Sequence, residues 1–359
     1  QLDFNSRRYQ KRAAARRRRN TIFIMEIVLL LILAVVLFFV SKLSKIEKTK
    51  LDMDKIEVNE DISQESQKIM KGYQTIAMFG LDNRSNGNLS QGRSDVIMLA
   101  NINNDTKEVK LVSVYRDTYL DTGDGIFQKC NAAYAKGGPE QAISMLNVNL
   151  DLNITDYVTV DFNSIIECVD LLGGVDMEIT DDEASLMTGY IRELNELTGN
   201  KAENLTQGGT YTLNGVQACA YARIRYGGGD DYRRTERQRT VLTAMVKKAQ
   251  QSDLTIVNKL INEVCGDIQT SFSNAELLAL ASQVFQYSIG DTTGFPFTKT
   301  TKVLSKKTGD VVIPCDLSDN VKELHIFLYE DSAYTVSDTV KQNSEKIVSD
   351  TGFKSGDGH

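Results

Sequence analysis

A long apolar run near the N-terminus constrains this chain more than any other feature. Between residues 21 and 40 the only charged side chain is Glu26, and this length matches the roughly 20 residues that a helix needs to cross a bilayer. Four arginines come directly before the run, and basic residues stay on the cytoplasmic side of a membrane. The sequence therefore predicts a single transmembrane helix over residues 21–43, preceded by a basic cytoplasmic tail (1–20) and followed by an exported portion.

Two alternatives apply to this N-terminal region. A secretory signal peptide needs small residues at its cleavage site, but the run is followed by Ser41-Lys42-Leu43-Ser44. A basic arm for nucleic acid is the other alternative, although topology and anionic lipids already explain basic residues beside a membrane span. We therefore favour an uncleaved anchor and expect no nucleic-acid partner.

Charge and residue types narrow the possible functions further. Residues 1–20 carry a net charge of +7. Because the whole chain has a net charge of −7, the remaining residues carry −14. Only two histidines occur, one of them terminal, which leaves His325 alone for imidazole chemistry and excludes histidine-rich zinc sites and His-based triads. The five cysteines have no CxxC or metal-like spacing, so we expect most of them to be small buried side chains.

After the predicted membrane span, the spacing of apolar residues is typical of strands in some segments and of helices in others. Residues 44–70 are charged and lack Gly and Pro, which favours a stalk or linker; 71–330 form one predicted domain, and 331–359 a polar C-terminal tail. Two of the strands, joined by turn-forming residues at 103–106, form a predicted hairpin. The predicted strands are 75–79, 96–102, 109–114, 157–160 and 175–179, and the predicted helices are 139–150, 162–172, 213–222, 234–250 and 274–287. This mixture indicates a layered α/β or α+β fold.

Arginines in the predicted domain are concentrated at turns and element ends. Arg93 and Asp95 are two residues apart at the start of a strand, so they are expected to project from one face. Arg116 follows the antiparallel partner strand, and whether it meets Asp95 depends on a strand register that the sequence leaves open. Arg223 and Arg225 would point to one side of an extended segment and would diverge in a helix.

The helix predicted from residue 234 has cations on its inward face. Arg234, Arg237 and Gln238 begin the face that later carries apolar residues. Cations in a first helical turn oppose the helix dipole, and a bound anion would reverse that cost. The glycine run 227–229 permits a loop that closes over such a ligand. The alternative is a set of ion pairs with neighbouring acids on a solvated face.

Asp82 and Asp95 are the candidate metal ligands. Carboxylate oxygens together with substrate phosphates suit Mg²⁺. Capping of a turn by Asp82 and solvation of a strand end by Asp95 would also explain these two residues.

At these residues the chain resembles the LytR-CpsA-Psr (LCP) family of membrane-anchored cell-wall ligases. The resemblance covers most of residues 75–250, and the segments agree with the family in order and spacing. They are FGLDNR (79–84), RSDVIML (93–99), VSVYRDT (112–118), KCNAAY (129–134), GGV (173–175), LNG (213–215), YARIR (221–225) and DYRRTERQ (231–238).

The resemblance implies a phosphotransferase that moves an anionic glycopolymer from an undecaprenyl-pyrophosphate carrier to peptidoglycan. The polymer would be a teichoic acid or a capsular or secondary wall polysaccharide. The family also implies an α/β fold with one mixed sheet in α/β/α-type layers, a Gram-positive-type cell membrane, and Mg²⁺ as cofactor with Mn²⁺ as an alternative. The candidate pyrophosphate ligands are Arg93, Arg116, Arg223, Arg225, Arg234, Arg237 and Gln238. The candidate catalytic residues are Asp82, Asp95, Arg93 and Arg116, and the two aspartates would also hold the metal.

Two other classes of function remain open. A polyprenyl-pyrophosphate hydrolase would use the same anion site with water as the acceptor. In a non-catalytic surface or regulatory protein, the arginines would pair with acids and no lipid-sized pocket would exist.

Overall fold

The computed structural model describes residues 47–48, 51–81, 89, 92–225, 231–253, 255–256, 259–260 and 268–358. The predicted cytoplasmic tail and transmembrane helix, Asp82 and the glycine run 227–229 lie outside these residues. Within the described residues, no helix combines the length and the apolar character that a membrane span requires.

A seven-stranded mixed sheet is the centre of the fold. Its strand order is β1-β10-β7-β2-β3-β4-β11, in which β2 pairs antiparallel with β3 and parallel with β7. Three further antiparallel strand pairs, β5–β6, β8–β9 and β12–β13, form separate two-stranded sheets. The strands are β1 (Glu47–Lys48), β2 (Tyr73–Leu81), β3 (Ser94–Asn103), β4 (Glu108–Val114), β5 (Tyr119–Asp121), β6 (Phe127–Lys129), β7 (Asp156–Asp161), β8 (Val175–Ile179), β9 (Gly209–Leu213), β10 (Gln269–Thr270), β11 (Ser288–Phe295), β12 (Lys299–Ser305) and β13 (Gly309–Pro314).

Helices cover both faces of this sheet. Met98 and Leu99 are neighbours in β3, and because successive strand residues point to opposite faces they enter different clusters of buried side chains. Leu99 packs in the main core with residues of α2, α8 and α9, and Met98 packs with residues of α6 and α7. The helices are α1 (Gln64–Met70), α2 (Ala132–Leu150), α3 (Phe162–Leu171), α4 (Asp181–Thr198), α5 (Gly215–Arg223), α6 (Asp231–Gln251), α7 (Asn274–Ser282), α8 (Leu317–Tyr329) and α9 (Asp338–Thr351).

The predicted hairpin is confirmed by β3 and β4. These strands are antiparallel, with Met98 opposite Ser113. The side-chain oxygen of Asn103 accepts hydrogen bonds from the backbone N–H groups of Asp105 and Thr106, which closes the turn. If this register is continued beyond the paired residues, Asp95 lies opposite Arg116. The register of the hairpin therefore brings these two predicted site residues together.

A second cluster of buried side chains lies among α3, α4, α5, α6 and the β8–β9 strand pair. Helix α4 was not predicted from the sequence. It begins with a capping box, in which Thr180 accepts a hydrogen bond from the Glu183 N–H and the Glu183 carboxylate accepts one from the Thr180 N–H. This helix supplies two carboxylates to the arginines described below.

Both ends of the predicted domain differ from expectation. The polar tail predicted over 331–359 is wrong, because α9 buries Val340 and Ile347 in the main core. The segment predicted as a stalk also packs onto the domain, since Ile62 is buried and the Asn59 side chain donates to the Val148 carbonyl at 2.9 Å. Few apolar residues occur in these segments, but several of them, including Ile62, Val340 and Ile347, are buried.

Truncation of a buried side chain in α9 should therefore destabilise the whole domain. Ile347 is 1% exposed, so Ile347→Ala should lower the free energy of unfolding by about 2–5 kcal/mol through lost burial and a cavity. Urea denaturation of the protein measures this loss. Glu345→Ala, an exposed change on the same helix, is the control. Equal stability of the two variants would mean that α9 is not part of the folded core.

Candidate functional site

A cavity of about 330 Å³ lies where β3 meets helices α3, α4, α5 and α6. One part of its wall is apolar or aromatic, and the other part is strongly cationic. Its lining residues are Val96, Phe162, Tyr190, Asp95, Arg116, Arg223, Arg225, Arg234 and Gln238. Four arginines against one aspartate suit an anionic group, and the neighbouring aromatic and aliphatic side chains suit an apolar portion of the same ligand.

Arg116 and Asp95 meet as the hairpin register requires. Arg116 Nη1 donates to Asp95 Oδ1 at 2.7 Å. Burial lowers the pKa of Arg116, but the carboxylates of Asp95, Asp231 and Asp117 outweigh this effect, and the net shift is upward. Arg116 is therefore a permanent cation at the cavity wall.

Arg223 and Arg225 reach the cavity from the end of α5. Arg223 is the last helical residue, and Ile224 then adopts φ −53° and ψ 135° with its side chain fully buried. Of the two arrangements that the sequence left open, the structure has the one in which both arginines line the cavity and Ile224 is buried between them. Arg223 donates to Glu193 at 3.2 Å, and its guanidinium carbon lies 5.0 Å from the Phe162 ring centroid.

The first turn of α6 brings an acid and a buried arginine together. Helix α6 begins at Asp231, and Arg234 Nη2 lies 2.7 Å from Asp231 Oδ1. The same carboxylate oxygen lies 3.7 Å from Arg225 Nη2 and 3.8 Å from Arg116 Nε. Ion pairs of these arginines with Asp230, Asp231 and Glu236 were the alternative considered from the sequence, and the structure contains the pair of Arg234 with Asp231.

Arg237 is not part of the cavity wall, although it was predicted as a pyrophosphate ligand. Its Nε donates to Glu183 Oε1 at 3.2 Å, and its Nη1 donates to the Ile224 carbonyl at 3.4 Å. Both charged side chains are largely buried. Glu183 comes from helix α4, which was not predicted, so this partner of Arg237 could not be identified from the sequence. Arg237 thus connects α6 with α4 and with the residue that follows α5.

Arg93 also lies outside the cavity wall. Its side chain is exposed, and β3 begins one residue later at Ser94. The argument that residues two apart share a face applies inside a strand, and Arg93 precedes the strand. Asp82, the other predicted catalytic carboxylate, lies outside the described residues.

Several buried polar atoms at the cavity have no hydrogen-bond partner among the described residues. These atoms are Arg116 Nε, Arg223 Nη1, Arg234 Nε and Gln238 Oε1. Buried polar groups in proteins are nearly always paired, so three unpaired guanidinium nitrogens around one cavity indicate groups kept for a ligand that accepts hydrogen bonds.

Asp95 fits the predicted metal-binding role only in combination with a substrate. Among the described residues, no group of three or more His, Cys, Asp or Glu side chains could hold a metal ion. Asp95 gives Oδ1 to Arg116 and is the one described carboxylate that lines the cavity. Mg²⁺ commonly binds through one or two carboxylates plus substrate phosphates, so this arrangement fits a cation that binds together with a phosphate ligand.

Comparison of sequences identifies relatives of this chain. A sequence model of the LytR_cpsA_psr family matches residues 33–302. The polyisoprenyl-teichoic acid–peptidoglycan teichoic acid transferase TagU of Enterococcus faecalis is 30% identical over 210 residues, which cover 58% of this chain and 64% of that protein. The corresponding transferase TagV of Bacillus subtilis is 30% identical over 195 residues, which cover 53% and 48%. The chain thus spans less than two thirds of the length of these curated relatives.

Solved structures share the fold. TagT bound to LI-WTA superposes with a TM-score of 0.59 at 22% identity, covering 78% of this chain and 99% of that one. The crystal structure of B. subtilis TagV gives a TM-score of 0.57 at 25% identity, covering 74% and 99%. TagT with bound octaprenyl pyrophosphate lipid gives 0.55 at 21% identity, covering 78% and 99%. Together with the family match over most of the sequence, these likenesses lead to one conclusion: the chain belongs to the LytR_cpsA_psr family.

Proposed function

We propose that this protein is a phosphotransferase that moves an anionic glycopolymer from a polyprenyl-pyrophosphate carrier to peptidoglycan. The observation that carries this proposal is the single cavity in which four arginines and Asp95 lie beside aromatic and aliphatic side chains. A polyprenyl pyrophosphate has the matching chemistry, because it joins an anionic head to an apolar chain. The names of the TagU and TagV relatives support a teichoic acid as the polymer.

Phosphoryl transfer depends on positioning the reactants and neutralising their charge more than on a covalent nucleophile. A sugar hydroxyl of peptidoglycan would attack the phosphorus that bears the polymer, and the bond to the polyprenyl phosphate leaving group would break. The cavity arginines would bind the pyrophosphate oxygens and stabilise the charge that spreads over them. Asp95 would accept the hydroxyl proton, with its carboxylate held by Arg116. A divalent cation, Mg²⁺ or Mn²⁺, held by Asp95 and the phosphates would supply further neutralisation.

The same reaction accounts for the N-terminal sequence. A lipid-linked donor stays in the membrane, so an enzyme that uses it benefits from an anchor close by. The apolar run and the arginines before it support a single-pass anchor with the catalytic domain outside a Gram-positive-type cell membrane.

The two alternative classes differ in what they predict for the arginines and the acceptor. Arg116, Arg223, Arg234 and Arg237 each pair with a carboxylate, as a non-catalytic protein would require, but a cavity is present beside three of these pairs. A hydrolase would use the same cavity with water as the acceptor.

Product analysis separates these three possibilities. The full chain is incubated with a polyprenyl-pyrophosphate-linked glycan, with and without a peptidoglycan oligomer. We expect a phosphodiester-linked conjugate that forms only with the oligomer. Release of glycan phosphate at the same rate without the oligomer would indicate a hydrolase. No turnover under either condition, in a protein that is folded, would favour the non-catalytic alternative.

Removing one cavity arginine should weaken anion binding without unfolding the protein. Arg225 is 41% exposed and lies 3.7 Å from Asp231, so its loss should cost little stability. Arg225→Ala should weaken the binding of inorganic pyrophosphate about 10- to 100-fold, the range for a charged hydrogen bond. Isothermal titration calorimetry measures this change. Arg192→Ala, an exposed change on α4 away from the cavity, should bind like the wild type, and equal affinity of both variants would contradict the assignment.

A further inference from the structure

One partly buried carboxylate contacts the arginines of the cavity without being among the residues that line it. Asp231 Oδ1 is within 4 Å of nitrogen atoms of Arg234, Arg225 and Arg116. The Asp231 side chain is 17% exposed. A single acid is thus shared by three of the four cations that face the cavity.

The contacts of Asp231 differ from those of an optimised structural ion pair. Arginine and carboxylate form their strongest pair with two parallel hydrogen bonds, which use both oxygens. Asp231 uses one oxygen for all three arginines, two of these distances exceed hydrogen-bond length, and its buried Oδ2 has no hydrogen-bond partner among the described residues.

Glu183, the partner of Arg237, provides the contrast within the same protein. Its Oε1 accepts from Arg237, and its Oε2 accepts from the backbone and the hydroxyl of Thr180. Both oxygens are used, as expected for a carboxylate whose role is structural. Asp231 is therefore placed to neutralise several cations weakly, whereas Glu183 is placed to hold one cation firmly.

We propose that Asp231 is the resident counter-anion of the pyrophosphate site, a positioning residue that holds Arg116, Arg225 and Arg234 in place and limits the affinity of the site for phosphate groups. This inference rests on the proposed function. Without ligand, the carboxylate offsets the mutual repulsion of three neighbouring guanidinium groups. With ligand, the same negative charge repels the pyrophosphate across the arginines.

Such repulsion has a use in a transferase. The reaction ends with a polyprenyl phosphate that must leave, and Arg116, Arg225 and Arg234 would retain it more strongly if the charge of Asp231 were absent. Burial raises the pKa of Asp231, and the charges of Arg116 and Arg225 oppose that shift. A group whose charge depends on these arginines is sensitive to whether they are engaged by another anion.

The test compares the binding of inorganic pyrophosphate to the full chain in metal-free buffer. The variants are Asp231→Asn, which keeps the shape and removes the charge, Asp231→Glu, which keeps the charge, and Asp176→Asn, which removes one exposed carboxylate paired with Lys248. We expect Asp231→Asn to bind pyrophosphate at least about tenfold more tightly than the wild type and to melt at a lower temperature without ligand. Asp231→Glu and Asp176→Asn should have wild-type affinity.

The outcomes distinguish this inference from the proposed function. If Asp231→Asn binds pyrophosphate with unchanged or weaker affinity, Asp231 has only a structural role, while arginine-dependent binding by the wild type would leave the proposed function standing. If the wild type does not bind pyrophosphate, or binds it independently of Arg225, the proposed function fails first. If Asp231→Asn does not fold alone, pyrophosphate must restore its cooperative melting, and failure to do so overturns the inference.

Discussion

Replacing Asp95 by alanine should lower the rate of polymer transfer by about 10³-fold while the domain stays folded. A positioned general base contributes about 10²–10⁴-fold, and among the described residues Asp95 is the one carboxylate that lines the cavity. The loss of its charge should have a small effect on folding, since Arg116 keeps Asp117 and Asp231 within 3.8 Å.

Transfer kinetics and thermal melting measured on the same preparation test this prediction. Because the lost interaction is made in the transition state, kcat and kcat/KM should fall together. Asp105→Ala, an exposed change in the turn between β3 and β4, is the control and should transfer normally. Near-normal transfer by a folded Asp95→Ala variant would remove Asp95 from the mechanism.

Replacing Arg237 by alanine should destabilise the protein by about 3–5 kcal/mol, the usual cost of leaving a buried charge without its partner. The Arg237 and Glu183 side chains are 8% and 13% exposed, and their nitrogen and oxygen atoms are 3.2 Å apart. The folded fraction should keep its affinity for pyrophosphate, because Arg237 does not line the cavity.

A double-mutant cycle gives the sharpest form of this test. Glu183→Ala should cause a similar loss in urea denaturation, and the double variant should lose little more than either single variant. Unchanged stability of Arg237→Ala together with weakened pyrophosphate binding would instead return Arg237 to the site, as the helix-dipole argument had predicted.

Strands and helices were predicted correctly from the sequence where the spacing of apolar residues has a strong period. The β3–β4 hairpin and most of helix α6 were predicted from spacing alone. For Arg223 and Arg225 an extended and a helical arrangement were both left open, and the non-helical backbone of Ile224 decides between them. The meeting of Arg116 with Asp95 was not predicted, because it depends on a register that only paired strands define.

The features that could not be predicted from the sequence depend on contacts between segments that are distant in the chain. Arg237 lies on the same predicted helix face as Arg234. It differs from Arg234 because it pairs with Glu183, which lies 54 residues earlier in the chain. Helix α9 was predicted as a polar tail because Val340 and Ile347 are sparse among polar residues, yet those two are enough to bury one face. Arg93 was misplaced because its strand begins one residue later.

Whether a polyprenyl lipid copurifies with the protein tests the central claim most directly. The full chain and its Arg116→Ala variant are purified from bacterial membranes under identical conditions, extracted with organic solvent and analysed by mass spectrometry. The account predicts polyprenyl phosphate or pyrophosphate species in the wild-type extract and a strong reduction in the variant, because Arg116 lines the cavity and pairs with Asp95. Absence of such lipids from the wild type, or equal amounts in both proteins, would contradict it.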